Sequence, residues 1–197
     1  MSATAGRRNE VVLVRHGATE WSVSGQHTGR TDLPLLPEGE AGARAIAPAL
    51  ADRQFALVLV SPPTPARRPC ELAGLGDRAI VEPDLLEWDY GDVEGRTTAE
   101  MQAELPGWSI WRGPVPDGET IDEVAARADR VIARARAADG DVALVAHGHI
   151  LRILAARWCE WRPRAGKRLP LDTATISILG WEHEYPTLRR WNAPPVA

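Results

Sequence analysis

Cysteine is nearly absent from this chain. Cys70 and Cys159 are the only two in 197 residues. They are too few and too far apart for a disulfide framework or a zinc site, as expected in a reducing compartment. Lysine is scarcer still. Of 23 basic residues one is a lysine, Lys167, so the other 22 are arginines. A coding bias accounts for that skew, and a lone arginine outside a motif carries little weight. The formal net charge of -4 leaves no basic excess for a nucleic-acid partner. No apolar run approaches the length that spans a bilayer, so no membrane partner is expected. Residues 1–10 are polar and lack the apolar centre of a signal peptide. The expectation is a cytoplasmic protein, monomer or homodimer, with a loose N-terminus over 1–10 and a Pro-rich tail over 193–197. Repeats, low-complexity stretches and linkers are also missing, so residues 1–197 read as one domain. Being 44% hydrophobic, the chain can bury one sizeable core.

What is present is an alternation of buried strands and helices. Val11–Val14, Ala56–Val60 and Asp141–Ala146 are short continuous apolar runs, the pattern of strands covered on both faces. Arg78–Val81 reads as an edge strand, and Thr173–Leu179 and Leu188–Trp191 as late strands. Glu38–Asp52 reads as a helix with Ile46 and Leu50 on one face, which Pro48 should end or kink. A polar loop precedes it from Ser22 to Pro37. The segment after Pro65 can be helical. Thr97–Leu105 reads as a short helix with Thr98 as cap and Met101 as core contact. Trp108–Thr120 reads as loop, Ile121–Ala138 as the clearest helix and Ile150–Trp158 as the last. Strands alternating with helices predict an α/β sandwich with a mostly parallel sheet, and such sheets bind ligands outside the carboxyl ends of their strands.

The three most apolar strands end in Arg15-His16, Ser61-Pro62 and His147-Gly148-His149. Two of the five histidines therefore share one sheet edge. A histidine just past a strand is a nucleophile, a base, a metal ligand or a satisfied core residue, and alone it is most often the last. Its neighbours change the balance. Arg15 is a permanent cation able to bind a phosphate bidentately, and Gly17 lets backbone amides approach an anion. A metal reading, with His147-x-His149 offering two imidazoles, is opposed by Arg15 and by the lack of a ligating cysteine cluster. No metal and no cofactor are expected. A phosphoryl-transfer site without metal needs an in-line nucleophile, positive charge on the equatorial oxygens and an acid for the leaving alkoxide. His16 and Arg15 fit the first two. For the acid, Leu85–Gly95 offers Glu87, Asp89, Asp92 and Glu94, among which composition does not choose.

Leu13–Trp21, LVRHGATEW, resembles the motif of the histidine phosphatase superfamily, the phosphoglycerate-mutase-like proteins. The resemblance continues through Thr28–Asp32, Glu87–Gly95 and Ala146–Gly148 in the family's order. It implies a three-layer α/β/α sandwich. It also implies that His16 becomes phosphohistidine, that Arg15 and His147 bind phosphoryl oxygens, that Gly17 and Gly148 bind substrate, and that Glu87 is the proton donor. Burial beside Trp88 would suit that donor by raising its pKa. Ser22, where many relatives carry Asn, and Thr28, Gly29 and Tyr90 are implied on the substrate side. One departure stands out. Where the family carries a second phosphate-binding arginine in a Ser-Pro-Leu-x-Arg pattern, this chain has Pro65. Arg67 or Arg68 is the candidate replacement, and without one the protein could bind a phospho-ligand rather than turn it over.

Mutases of the family hold a bisphosphate intermediate with a tandem arginine pair after the Glu motif. Here Gly107–Pro114 contains Arg112 alone, which favours water as the acceptor and a phosphatase over a mutase. Trp21-Ser22, Ser24–Gly29 and Glu87–Gly91 resemble the branch of sedoheptulose-bisphosphatase-like enzymes. The expected partner is a small phosphorylated metabolite, a sugar phosphate or bisphosphate.

Overall fold

The computed structural model describes residues 8–51 and 53–195. Among these, six strands form one mixed sheet: β1 (Val11–Arg15), β2 (Phe55–Val60), β3 (Ala79–Val81), β4 (Asp141–Ala146), β5 (Ile176–Glu182) and β6 (Tyr185–Ala193). Their order is β3-β2-β4-β1-β5-β6. β1 to β4 pair in parallel, and β5 runs antiparallel to β1 and to β6. The helices are α1 (Glu20–Ser24), α2 (Pro37–Ala51), α3 (Thr64–Leu72), α4 (Thr98–Glu104), α5 (Ile121–Arg136) and α6 (Gly148–Trp158).

The alternation of side chains along a strand builds the layers. Val11 and Leu13 of β1 join a core with Val124 and Ala128 of α5 and Ile150 and Leu154 of α6. Val12 and Val14, pointing the other way, join Ile46 and Leu50 of α2 and Ala66 and Cys70 of α3. These four of the five β1 residues are essentially inaccessible, which is why the strand is apolar without a break up to Arg15. The result is the expected three-layer α/β/α sandwich. β3 lies at the sheet edge as the sequence predicts.

Several boundaries differ from the sequence reading, each for a local reason. Pro48 does not end α2, which runs on to Ala51. Ile46 and Leu50 on either side of it are fully buried, each contributing about 1.5–3 kcal/mol, enough to offset the lost backbone bond. Asp52, the expected end of that helix, lies outside the described residues. The predicted loop from Ser22 begins inside α1, which Thr19 opens with a capping box to Ser22. The cap of α4 is Thr97, not Thr98, through a capping box with Glu100. β5 begins at Ile176 rather than Thr173, because Ala174 turns at φ 55° and the Thr175 hydroxyl donates to Asp172 O at 2.8 Å. Of the N-terminus expected to be loose, residues 1–7 lie outside the described residues. Asn9 donates to Ala135 O at 2.7 Å and the Glu10 amide to Asp141 Oδ1 at 2.9 Å. In the expected tail, Ala193 ends β6 and residues 196–197 lie outside the described residues.

The loop leaving β1 rests backbone to backbone on α2. A Cβ on Gly17 would lie 2.2 Å from Gly39 O, and one on Gly39 would lie 2.2 Å from Ala18 O. Inside an exposed helix Gly→Ala stabilises by up to about 1 kcal/mol. For Gly39→Ala the clash is with backbone, so overpacking of about 1–3 kcal/mol dominates. Urea unfolding should show Gly39→Ala to be destabilised; a gain in stability would contradict this packing.

Candidate active site

Strand register brings the site together. β1 and β4 are in parallel register with Arg15 opposite Ala146, so the next residues, His16 and His147, leave the sheet side by side. Their rings meet edge to face with centroids 5.0 Å apart. β2 joins β4 with Val60 opposite Val145, which delivers Ser61 to the same edge. Its hydroxyl pairs with His147 Nε2 at 2.8 Å. Three adjacent strands thus deliver a serine and two histidines to one spot.

His16 Nδ1 lies 2.7 Å from Gly17 O. A carbonyl only accepts, so Nδ1 carries the proton and Nε2 keeps its lone pair when the ring is neutral. The ring is held neutral. Burial drives the His16 pKa well below its ordinary value, and the neighbouring His147 and Arg15 add to the effect. His147 is lowered to about 3 by burial, then by Arg15 and Arg127. Arg15 donates through Nη1 to Leu171 O, while its Nε is buried without a partner. A buried cation with an orphan donor is prepared for an anion.

Glu87 comes from a distant loop and caps α6. The helix begins at Gly148 with no side-chain cap from His147, so its first N–H groups need acceptors. Glu87 supplies them: Oε2 accepts from the His149 amide at 2.8 Å, and Oε1 accepts from Ile150 at 2.8 Å and Trp88 at 3.0 Å. Its loop is fixed from behind. Arg127 makes a bidentate pair with Glu119, both contacts 2.7 Å, and donates to the carbonyls of Asp84 and Leu86. The Trp88 indole donates to Glu119 O at 2.8 Å. His16, Glu87 and His147 are 8%, 7% and 6% exposed, and all three line one cavity of about 450 Å³.

The loop opposite is braced as well. Glu94 accepts from the amides of Arg30 and Thr31 and from the Thr31 hydroxyl. Asp32 caps α3 through the amide and hydroxyl of Thr64, both at 2.9 Å. Among the described residues no group of three or more His, Cys, Asp or Glu side chains is arranged to hold a metal ion.

A family model of the histidine phosphatase superfamily, branch 1, matches residues 11–194. The chain belongs to the histidine phosphatase superfamily. An acid phosphatase of Mycobacterium tuberculosis is 35% identical over 181 residues, 90% of this chain and 89% of that protein. Sedoheptulose 1,7-bisphosphatase of Saccharomyces cerevisiae is 38% identical over 180 residues, 75% of this chain and 66% of that protein. A solved structure of a Mycobacterium tuberculosis open reading frame superimposes with a TM-score of 0.91 at 34% identity, covering 96% of this chain and all of that one. Phosphoglycerate mutases are also among the relatives. With relatives named as phosphatases in the same family, this histidine phosphatase is a phosphoric monoester hydrolase. No helix among the described residues is long and apolar enough to cross a membrane.

The cavity of this histidine phosphatase gathers most of the residues picked out from sequence: Arg15, His16, Ser22, Thr28, Gly29, Glu87, Tyr90, His147 and Gly148 all line it. Three do not. Gly17 is needed for its approach to Gly39 and lies outside the lining. Arg68 is held by Glu40 at 2.8 Å and Glu71 at 3.0 Å, and Arg67 borders a separate hollow beside Cys70 and Val81. Neither replaces the arginine missing at Pro65, which lines the cavity itself together with Pro63. The residues missed are His149, considered only as a metal ligand, and Arg152 and Trp111. His149 Nδ1 lies 2.7 Å from the Tyr90 hydroxyl. Arg152 follows His149 by three positions, so helical spacing marks its position beside His149 on one face; no local pattern marks Trp111.

Burial lowers His149 to about 3 as well, Glu87 opposing. For His147 and His149 the folded value lies below the unfolded value of about 6.5, so the unfolded chain binds protons that the native state refuses. Their contribution to stability is complete above pH 6.5 and is lost as pH falls toward about 3. Unfolding in urea at pH 7.5 and pH 5 should show a loss of a few kcal/mol at the lower pH. Equal stability at both would mean that these rings titrate normally.

Proposed function

We propose that this histidine phosphatase hydrolyses a small phosphate monoester, a sugar phosphate or sugar bisphosphate, through a phosphohistidine on His16 with no metal in the reaction. The observation that carries the reading is the hydrogen bond from His16 Nδ1 to Gly17 O. It leaves Nε2 as the free lone pair of a neutral ring lining a cavity with Arg15 and His147. Nε2 attacks phosphorus, the bond to the leaving oxygen breaks, and Glu87 delivers the proton that oxygen needs. The three amides around Glu87 then receive the charge it has acquired. In the second half, Glu87 takes a proton from water, the water oxygen attacks phosphorus, and the P–N bond breaks to release phosphate. Arg15 and His147 hold the phosphoryl oxygens, with Ser61 fixing the His147 ring.

Pro63 and Pro65 on the cavity wall favour a second reading, a binder of phospho-ligands with weak turnover. Loss of one guanidinium from the transition state costs several kcal/mol. A panel of p-nitrophenyl phosphate and sugar bisphosphates separates the two. Turnover that His16→Ala lowers about a thousandfold or more supports the enzyme. Phosphate binding with no turnover of any ester supports the binder. Brisk isomerisation of 3-phosphoglycerate with a bisphosphoglycerate primer would overturn hydrolysis in favour of mutase action.

The acid has its own test. Glu87→Gln should lower kcat/KM, which reports the steps up to departure of the leaving group, by roughly 100- to 10,000-fold on alkyl phosphates, and on an aryl phosphate with a good leaving group by only a few-fold. Equal losses on both would remove Glu87 from that role.

A further inference from the structure

The cavity has a second cation that the phosphoryl-transfer chemistry does not use. Arg152 sits on α6 and lines the cavity. Its guanidinium lies over the Trp111 ring, 4.7 Å from the centroid. Nε donates to Gly166 O at 3.1 Å and Nη2 to Lys167 O at 3.2 Å, which fixes the plane and leaves Nη1 uncommitted. Of the other arginines on the helices of this layer, Arg157 pairs with Asp129 and Arg127 with Glu119, while Arg136, which does not line the cavity, lies over the Trp158 ring and donates to Trp158 O. Arg152 makes no ion pair among the described residues. Burial depresses its pKa, with Glu87 the main group opposing. A half-buried cation, oriented by two carbonyls and an aromatic face and without a carboxylate in ion-pair contact, is the arrangement that recruits an anion from outside.

Its position fits a second group of one substrate. A Cβ on Gly148 would be 3.4 Å from Cζ of Arg15, so the α6 N-terminus marks where the transferring phosphoryl group sits. Arg152 is four residues on, about 6 Å along the helix axis, and lines the same cavity. We propose that Arg152 and Trp111 form a second phosphate subsite, so that the preferred substrate is a bisphosphate of a short polyol chain with one phosphate at Arg15 and the other at Arg152. This rests on the phosphatase reading for which phosphate is cleaved, but not for binding.

Binding in a His16→Ala background tests it without turnover. Calorimetry with fructose 1,6-bisphosphate, fructose 1-phosphate and fructose 6-phosphate should show the bisphosphate bound roughly 10- to 100-fold more tightly than either monophosphate. Adding Arg152→Met should reduce that advantage to less than about threefold, and Arg152→Lys should keep part of it. No advantage in the His16→Ala protein would overturn the subsite even if the Arg152 variants fail to fold. An advantage that survives Arg152→Met would assign Arg152 to holding the Gly166–Lys167 turn alone. Absence of turnover by the unmutated protein on every ester would sink the phosphatase reading and leave these binding ratios standing.

Discussion

The carboxylate of Glu87 closes the open end of α6, and the geometry of the cavity depends on that contact. Three amide donors converge on it, two of them from the first turn of the helix. Buried donors without acceptors would cost about 1–3 kcal/mol each, and whenever Glu87 is ionised its negative charge at a helix N-terminus is worth about 0.3–2 kcal/mol more. The same contact fixes where the Glu87 carboxyl group stands relative to His147, Gly148 and His149 at the start of α6. Stability and chemistry are therefore served by one interaction. The Arg127–Glu119 pair behind it belongs to the same device, because it anchors the carbonyls of the loop from which Glu87 projects.

A second constraint is the in-phase parallel pairing of β2, β4 and β1. Strands of a sheet lie about 4.8 Å apart, and the His16 and His147 rings are 5.0 Å apart. The separation of the two imidazoles is thus the strand spacing, set by backbone hydrogen bonds rather than by loops. Crowding two imidazoles and a guanidinium into a buried edge also keeps both rings uncharged, the state a nucleophilic histidine needs.

Charge in the cavity is distributed unusually for a chain with 22 arginines. Most of those visible on the helices are spent on exposed ion pairs, worth little individually. Arg15 and Arg152 are the two that line the cavity, and neither has a carboxylate partner in a salt bridge among the described residues. Pro63 and Pro65 supply an apolar wall on the side where the family resemblance implies a further arginine.

Most of the fold was legible because continuous apolar runs at β1, β2 and β4 and the helical spacing of α5 are imposed by burial on the sheet, a property of the residues themselves. The sequence by itself determined the chemistry at the ends of those strands, Arg15-His16 and His147-Gly148, since a strand must deliver whatever residue follows it to the sheet edge. Where elements begin and end followed from caps and turns, such as Thr97 and Ala174, that compete over single hydrogen bonds. Only the tertiary structure singled out Glu87 from Asp89, Asp92 and Glu94 on geometric grounds, removed Arg68 into a pair with Glu40, gave Gly17 to its contact with Gly39, and raised Arg152 over Trp111. The physical reason is the same in each case. A charged or flexible residue has many local partners of nearly equal energy, and long-range packing decides which one is within reach.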